Sequence, residues 1–156
     1  ALSSAASDVY KRQSQGTRCR QLATYVIFDS PLNMLCDNPS NYKREPECTA
    51  FIARIPTVWD ETLGLDGKVG EYITMARRSG DEWYVGGLTN WDKRDIIVDL
   101  SFLGEGFYEI ELFKDGINAD RAACDYKRVV MPVPEDRQLK VTLFPGGGFA
   151  GRIERR

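Results

Sequence analysis

Residues 56–91 read P-T-V-W-D-E-T-L-G-L-D-G-K-V-G-E-Y-I-T-M-A-R-R-S-G-D-E-W-Y-V-G-G-L-T-N-W, and the hydrophobic period changes inside them. Before Pro56, apolar residues recur at helical spacing; after it they alternate, as on strands with one buried side. Residues 69–77 and 82–89 read as two strands, and Arg78-Ser79-Gly80-Asp81 between them reads as a hairpin turn. The stretch is therefore a seam between an α/β segment and an all-β segment.

The all-β pattern continues to the end of the chain. Further strands are expected over 95–100, 106–114, 126–131, 138–144 and 149–153. Turn signals separate them: Asn90-Trp91-Asp92-Lys93, Gly104-Glu105-Gly106, Asp115-Gly116, Pro132 to Asp136, and Gly146-Gly147-Gly148. Alternation is clean where Tyr108, Ile110 and Leu112 interleave with Glu109 and Glu111, and where Leu139, Val141 and Leu143 interleave with Lys140 and Thr142. About seven short strands at this spacing predict an antiparallel β-sandwich.

On the other side of the seam, residues 17–28 read as a helix with Cys19, Leu22, Tyr25 and Val26 on one side, although 25–28 would also suit a strand. Asp29-Ser30-Pro31 ends it, because the residue before proline is pushed out of the α region. The mostly apolar run 32–36 suits a buried strand, and 40–44 is polar. Glu45-Pro46-Glu47 opens a second helix whose apolar side is Phe51, Ile52 and Ile55, and Pro56 ends it. Helix, strand, helix is one repeat of an α/β architecture. Its strand lacks a partner within the repeat, so the apolar sides of its first helix and strand are expected to stay open without further chain.

Composition narrows the function. The chain has 156 residues, 42% hydrophobic and 28% charged, with net charge -2 and both signs interspersed. That balance gives no basic footprint for nucleic acid. No apolar run reaches the ~20 residues of a membrane-spanning helix. Histidine is absent, so Ser-His-Asp and Cys-His catalysis cannot be built from these residues. Cys19, Cys36, Cys48 and Cys124 contain no Cys-x-x-Cys pair, which argues against a zinc site. The even count permits disulfides without arguing for them. Residues 3–13, S-S-A-A-S-D-V-Y-K-R-Q, look like the in-frame translation of a sequencing adapter. They are set aside as a non-native tail, which leaves the native N-terminus and any leader undefined.

Several long motifs occur in order: T-R-C-R-Q-L-A-T-Y-V-I-F-D-S-P-L-N-M-L-C-D-N-P-S-N-Y from Thr17, P-T-V-W-D-E-T from Pro56, G-E-Y-I-T-M-A-R-R from Gly70, W-Y-V-G-G-L-T-N-W from Trp83, K-D-G-I-N-A-D-R from Lys114 and P-G-G-G-F-A from Pro145. Together they resemble the C-terminal portion of glycoside hydrolase family 97, over residues 16–153. The resemblance implies a calcium-dependent α-glucosidase or α-galactosidase of bacterial polysaccharide utilisation, periplasmic or extracellular. It implies an N-terminal β-sandwich, a central (β/α)8 barrel and a C-terminal β-sandwich associated with packing and oligomerisation. On that reading the fold class is mostly β, an antiparallel sandwich preceded by the last helix-strand-helix unit of a truncated barrel. Residues 1–13 are the tail, 14–56 the end of the barrel and 57–156 the C-terminal domain. The expected partners are the missing domains of the same chain, an oligosaccharide substrate of the parent enzyme and a possible second copy. The family's catalytic carboxylates and calcium ligands are expected upstream, so no residue here is assigned as catalytic or metal-binding.

Asp37 and Asn38 are the substrate-edge candidates. If 32–36 is the last barrel strand, they lie at its C-terminal end, where barrel active sites are built. The competing reading is an Asx turn or helix cap before Pro39. Glycoside hydrolysis needs two carboxylates about 5–9.5 Å apart across the bond. The adjacent pairs Asp60-Glu61 and Asp81-Glu82 would point to opposite sides of a strand. Trp59, Asp60 and Glu61 are therefore read as seam contacts, and Asp81-Glu82 as turn and edge charges. Trp59, Trp83, Trp91, Tyr72 and Tyr84 could stack on sugars or pack a core. Asp115, Asn118 and Asp120 fit a surface turn better than a calcium loop. Gly146-Gly147-Gly148 suits a tight backbone approach or a bulge. The alternative function is a free-standing sandwich that binds carbohydrate or protein.

Overall fold

The computed structural model describes residues 15–30, 35 and 38–156. These form three helices, α1 (Arg18–Ile27), α2 (Pro39–Arg44) and α3 (Pro46–Arg54), followed by eight strands. The strands are β1 (Glu61–Lys68), β2 (Tyr72–Ser79), β3 (Glu82–Thr89), β4 (Arg94–Asp99), β5 (Tyr108–Asp115), β6 (Tyr126–Pro132), β7 (Gln138–Leu143) and β8 (Gly148–Arg155). Six strands form one antiparallel sheet in the order β1-β2-β3-β8-β5-β6, and β4 and β7 pair as a second. The expected sandwich is present, split six and two.

Two elements escape the sequence reading. Strand β1 carries Gly64 and Gly67 and a register shift between Gly64 and Asp66, which breaks the alternation a strand would show. Helix α2 is six residues long with no buried side chain, so it has no apolar stripe. The strand expected over 32–36 falls mostly outside the described residues. Elsewhere local chemistry and structure agree. Ser79 pairs with Glu82 across a two-residue loop in which Gly80 has φ +58°, the backbone such a hairpin demands.

The six-stranded sheet is covered on both sides, so the architecture has three layers. On its inner side Ala76, Val85, Ile110, Leu112, Phe149 and Ile153 meet Val98, Leu139, Val141 and Leu143 of the small sheet, with Leu100 and Leu103. On its outer side Tyr84, Leu88, Phe113 and Ala150 meet the helices. Alternate residues of the two central strands β3 and β8 thus face two cores, and both strands are almost wholly buried.

Helix α1 lies on the outer side and buries Cys19, Leu22, Ala23, Val26 and Ile27. Each of the larger aliphatic side chains contributes about 1.5–3 kcal/mol by leaving water. Helix α3 adds Cys48 and Phe51, whose ring centroid is 4.8 Å from that of Phe113. The apolar side of α1, expected to stay open, is therefore closed by the chain's own sheet. It can be, because the sheet is pared down beneath it. A β-carbon on Gly86 would sit 3.1 Å from Val26 Cβ. One on Gly148 would sit 2.9 Å from Arg20 Cα and 2.7 Å from the Gly87 carbonyl oxygen, both backbone atoms. This is the tight approach expected of the triple glycine.

Gly64 is a strand glycine with no atom near its would-be β-carbon, and it serves as the control for a test of this packing. Gly148→Ala should lower stability in a denaturant titration by about 1–3 kcal/mol, whereas Gly64→Ala should change it by under about 0.5 kcal/mol. Equal effects would show that α1 does not rest on β8 as described.

Candidate functional site at the helix–sheet seam

The seam is held by polar groups as well as by the apolar core. Thr17 caps α1, its Oγ1 accepting from the Arg20 amide at 3.1 Å, and the same hydroxyl donates to Asp115 Oδ1 at 2.6 Å. The other oxygen of Asp115 accepts from the Phe144 and Gly148 amides, each at 3.1 Å. One buried carboxylate at the end of β5 therefore joins the start of α1 to the β7–β8 loop. Burial pushes the Asp115 carboxyl above its ordinary pKa, and the Thr17, Phe144 and Gly148 donors act in the opposite direction. Around it, the Thr17 amide donates to the Gly146 carbonyl at 3.0 Å, the Arg18 amide to the Ala123 carbonyl at 2.8 Å, and the Arg20 guanidinium to the Thr89 carbonyl at 2.6 Å.

The far end of α1 is met by Arg77 of β2. Its Nη2 donates to the Ile27 carbonyl at 3.1 Å, where a cation complements the exposed carbonyls of a helix C-terminus. The guanidinium carbon lies 5.6 Å from the Trp59 ring centre, and Nη1 lies 3.5 Å from Asp29 Oδ1. Arg77 is buried, and its Nε and Nη1 have no hydrogen-bond partner among the described residues.

A third set holds α3. The Tyr84 hydroxyl lies 2.9 Å from the Arg54 carbonyl and 2.8 Å from Glu82 Oε2, so two acceptors share its proton. Glu82 is gripped by Arg152, with Nε 2.9 Å from Oε2 and Nη2 on Oε1. Glu111 receives Arg54 of α3 at 3.0 Å and Arg128 of β6 at 2.8 Å, and the Tyr126 hydroxyl donates to Glu47 at 2.9 Å.

The residues singled out from sequence are dispersed. Asn38 is the N-cap of α2, accepting from the Asn41 amide at 3.1 Å; Asp37 lies outside the described residues. Trp59 packs the seam, its ring centre 5.4 Å from that of Tyr84 in an edge-on arrangement. Asp60 and Glu61 are placed within the sandwich rather than against the helices. Asp60 accepts from the Gly80 amide at 2.7 Å, and Glu61 accepts from Arg78 Nε at 3.1 Å. Trp83 packs with Phe102 on the opposite side of the sheet from Trp59 and Tyr84, so these aromatics form no common platform. Asp115, expected in a surface turn, is instead the buried clamp of the seam. The D-G run after it looks like a turn in sequence, but its side is set by its pairing with Tyr126 across β5 and β6. Among the described residues no group of three or more Asp, Glu, Cys or His side chains could hold a metal, so they do not fit a calcium centre.

Arg152 and the Tyr84 hydroxyl hold the Glu82 carboxyl down to about 2, from an ordinary 4.5. A depressed carboxylate stabilises the fold above its unfolded value and loses that contribution as pH falls through its folded value. The side chain is 37% exposed, so the contribution at neutral pH is about 1 kcal/mol. Glu82→Gln should cost that amount at pH 7, and the gap to the parent should close as pH falls from 4.5 towards 2. A gap that stayed constant over this range in urea titrations would contradict the assignment.

Comparison with known proteins places this arrangement. Residues 58–154 match the family model described as "Glycosyl-hydrolase 97 C-terminal, oligomerisation". A retaining alpha-galactosidase of Bacteroides thetaiotaomicron is 67% identical over 141 residues, which is 90% of this chain and 21% of that protein. A probable retaining alpha-galactosidase of Streptomyces bingchenggensis is 30% identical over 140 residues, again 90% of this chain and 21% of that protein. The chain thus spans about a fifth of the length of these relatives, and the matches are longer than the sandwich, so they extend into the helices. Among solved structures, a glycoside hydrolase family 97 enzyme in complex with panose, from Pseudoalteromonas sp. strain K8, superposes with a TM-score of 0.87 at 35% identity. That match covers 92% of this chain and 23% of the enzyme's. A beta-arabinopyranosidase superposes with a TM-score of 0.74 at 31% identity, covering 88% and 21%. The chain belongs to glycoside hydrolase family 97, and residues 58–154 are the C-terminal domain of that family.

Proposed function

We propose that this chain is the non-catalytic C-terminal part of an enzyme that hydrolyses α-linked galactosides or glucosides, and that it serves packing and assembly. Helices α1 to α3 are read as the end of the parent's (β/α)8 barrel, and the sheet as the platform on which that end is set. The observation that carries this reading is the seam. Its acidic groups are committed to structure: Asp115 to the cap of α1, Glu111 to Arg54 and Arg128, and Glu82 to Arg152. Groups held in this way position helices and are not poised to transfer protons to a substrate.

The 67% identity to a retaining alpha-galactosidase favours α-galactosides as the substrate of the intact enzyme. Calcium in that enzyme would be held by residues outside this chain, and a periplasmic or extracellular site of action goes with the same reading. A free-standing sandwich is the weaker alternative. Without the helices, residues 57–156 would present Tyr84, Leu88, Phe113 and Ala150 to water.

The test is turnover of 4-nitrophenyl α-galactoside and α-glucoside by the purified chain. No release of nitrophenol above the uncatalysed blank is expected. Hydrolysis that is lost when an acidic residue of this chain is changed to its amide would overturn the proposal.

A further inference from the structure

Of the three tryptophans, Trp59 and Trp83 pack against the two cores, whereas Trp91, in the turn between β3 and β4, is 65% exposed. Its ring nonetheless has a fixed seat. A β-carbon on Gly146 would lie 2.6 Å from Cζ3 of Trp91, 3.0 Å from Cε3 and 3.2 Å from Cη2. An approach along the ring edge would leave the two neighbours of Cζ3 much further off than Cζ3 itself, so that point lies above the ring. The indole therefore rests flat on Gly146 and turns its opposite side to solvent. The turn that carries it is pinned. The Asn90 carbonyl accepts from the Gly146 amide, and the Asn90 amide donates to the Glu71 carbonyl, each at 2.7 Å. The Asn90 side chain accepts from the Asp92 amide at 2.9 Å, and the Thr89 hydroxyl donates to the Asp92 carbonyl at 3.2 Å.

We infer that Trp91 is a stacking platform for the pyranose ring of an α-galactoside. The choice of galactoside rests on the activity proposed above for the parent enzyme, whereas the stacking surface stands on its own geometry. A galactose ring presents adjacent C–H bonds on one side, because its axial hydroxyl points to the other. That apolar patch is about the size of one aromatic ring and is edged by hydroxyls. The turn matches both features. Its flat apolar area is a single indole, and its other members Asn90, Asp92 and Lys93 are polar. A stable protein interface would instead bury about 800 Å² on each partner around an apolar centre. Asp92 meets Arg94 through Oδ2 at 3.4 Å and its side chain is 71% exposed, so its carboxylate can accept from sugar hydroxyls. Lys93, with Nζ 4.9 Å from the Phe144 ring centre, adds an exposed donor beside it. Because the indole is already held on Gly146, stacking on it freezes little further motion.

Titration of the whole chain with methyl α-galactopyranoside, followed through the tryptophan indole N–H signals by NMR, tests this. The Trp91 signal should shift and saturate with Kd of about 10 mM, while those of Trp59 and Trp83 stay in place. Galactitol, which has the hydroxyls but no ring, should shift none of them. Trp91→Ala should weaken binding by at least about tenfold, read from the backbone amides of residues 90–94. Unchanged Trp59 and Trp83 signals in that variant would show that it is folded. Absence of a saturating Trp91 shift, an equal response to galactitol, or binding that survives Trp91→Ala would overturn the inference. The nitrophenol assay reads turnover and this titration reads binding without turnover, so the two readings fail separately.

Discussion

The Asp115 carboxylate is the interaction on which the rest of the structure depends. A buried carboxylate is costly unless its oxygens are satisfied, and each of its two oxygens is met by a different part of the chain. Oδ1 takes the Thr17 hydroxyl and Oδ2 takes the Phe144 and Gly148 amides. The cap of α1, the end of β5 and the β7–β8 loop are thereby fixed to one point. Arg77 does the corresponding work at the other end of α1 through the Ile27 carbonyl. With both ends held, the helix axis is set over β3 and β8 before any apolar contact is counted.

The apolar contacts then require a sheet of low relief. Gly86, Gly148 and Ala150 lie on adjacent strands in register, Gly86 opposite Ala150 and Leu88 opposite Gly148. They leave room for Leu22, Val26 and Ile27 to reach the sheet, and Phe113 and Tyr84 close the flanks. The same strands turn Val85, Phe149 and Ile153 to the inner core. A substitution on β3 or β8 is therefore felt by the helices or by the small sheet according to its parity. Helices and sandwich are thereby packed against one another although their sequence patterns differ so sharply.

Much of this was legible in the residues. The hairpin of β2 and β3 follows from alternation on either side of Ser-Gly-Asp, and the bounds 82–89 expected for β3 match those observed. Helix α1 follows from Cys19, Leu22 and Val26, and the seam itself from the change of period near Pro56. What could not be read depends on pairing between distant strands. Asp115 sits in D-G-I-N-A-D, which has turn chemistry, and only its partner on β6 turns it inward. Asp60 and Glu61 stand next to Trp59, yet Arg78 and the Gly80 amide draw them into the sandwich while Trp59 goes to the helices. Strand β1 was hidden by its glycines and its bulge. The membership of the family rested on motif order, which neither composition nor periodicity carries.

Asp115 is expected to fasten the helices and the sheet into one cooperative unit. Amide hydrogen exchange of α1, measured on the whole chain and on Asp115→Ala, tests that most directly. In the parent, the amides of residues 22–27 should exchange with the same protection as those of β8, because both open only on global unfolding. In Asp115→Ala, α1 should lose protection by at least about tenfold more than β8 does. Protection of α1 far below that of β8 in the parent, or equal loss in both elements on removing the carboxylate, would contradict it.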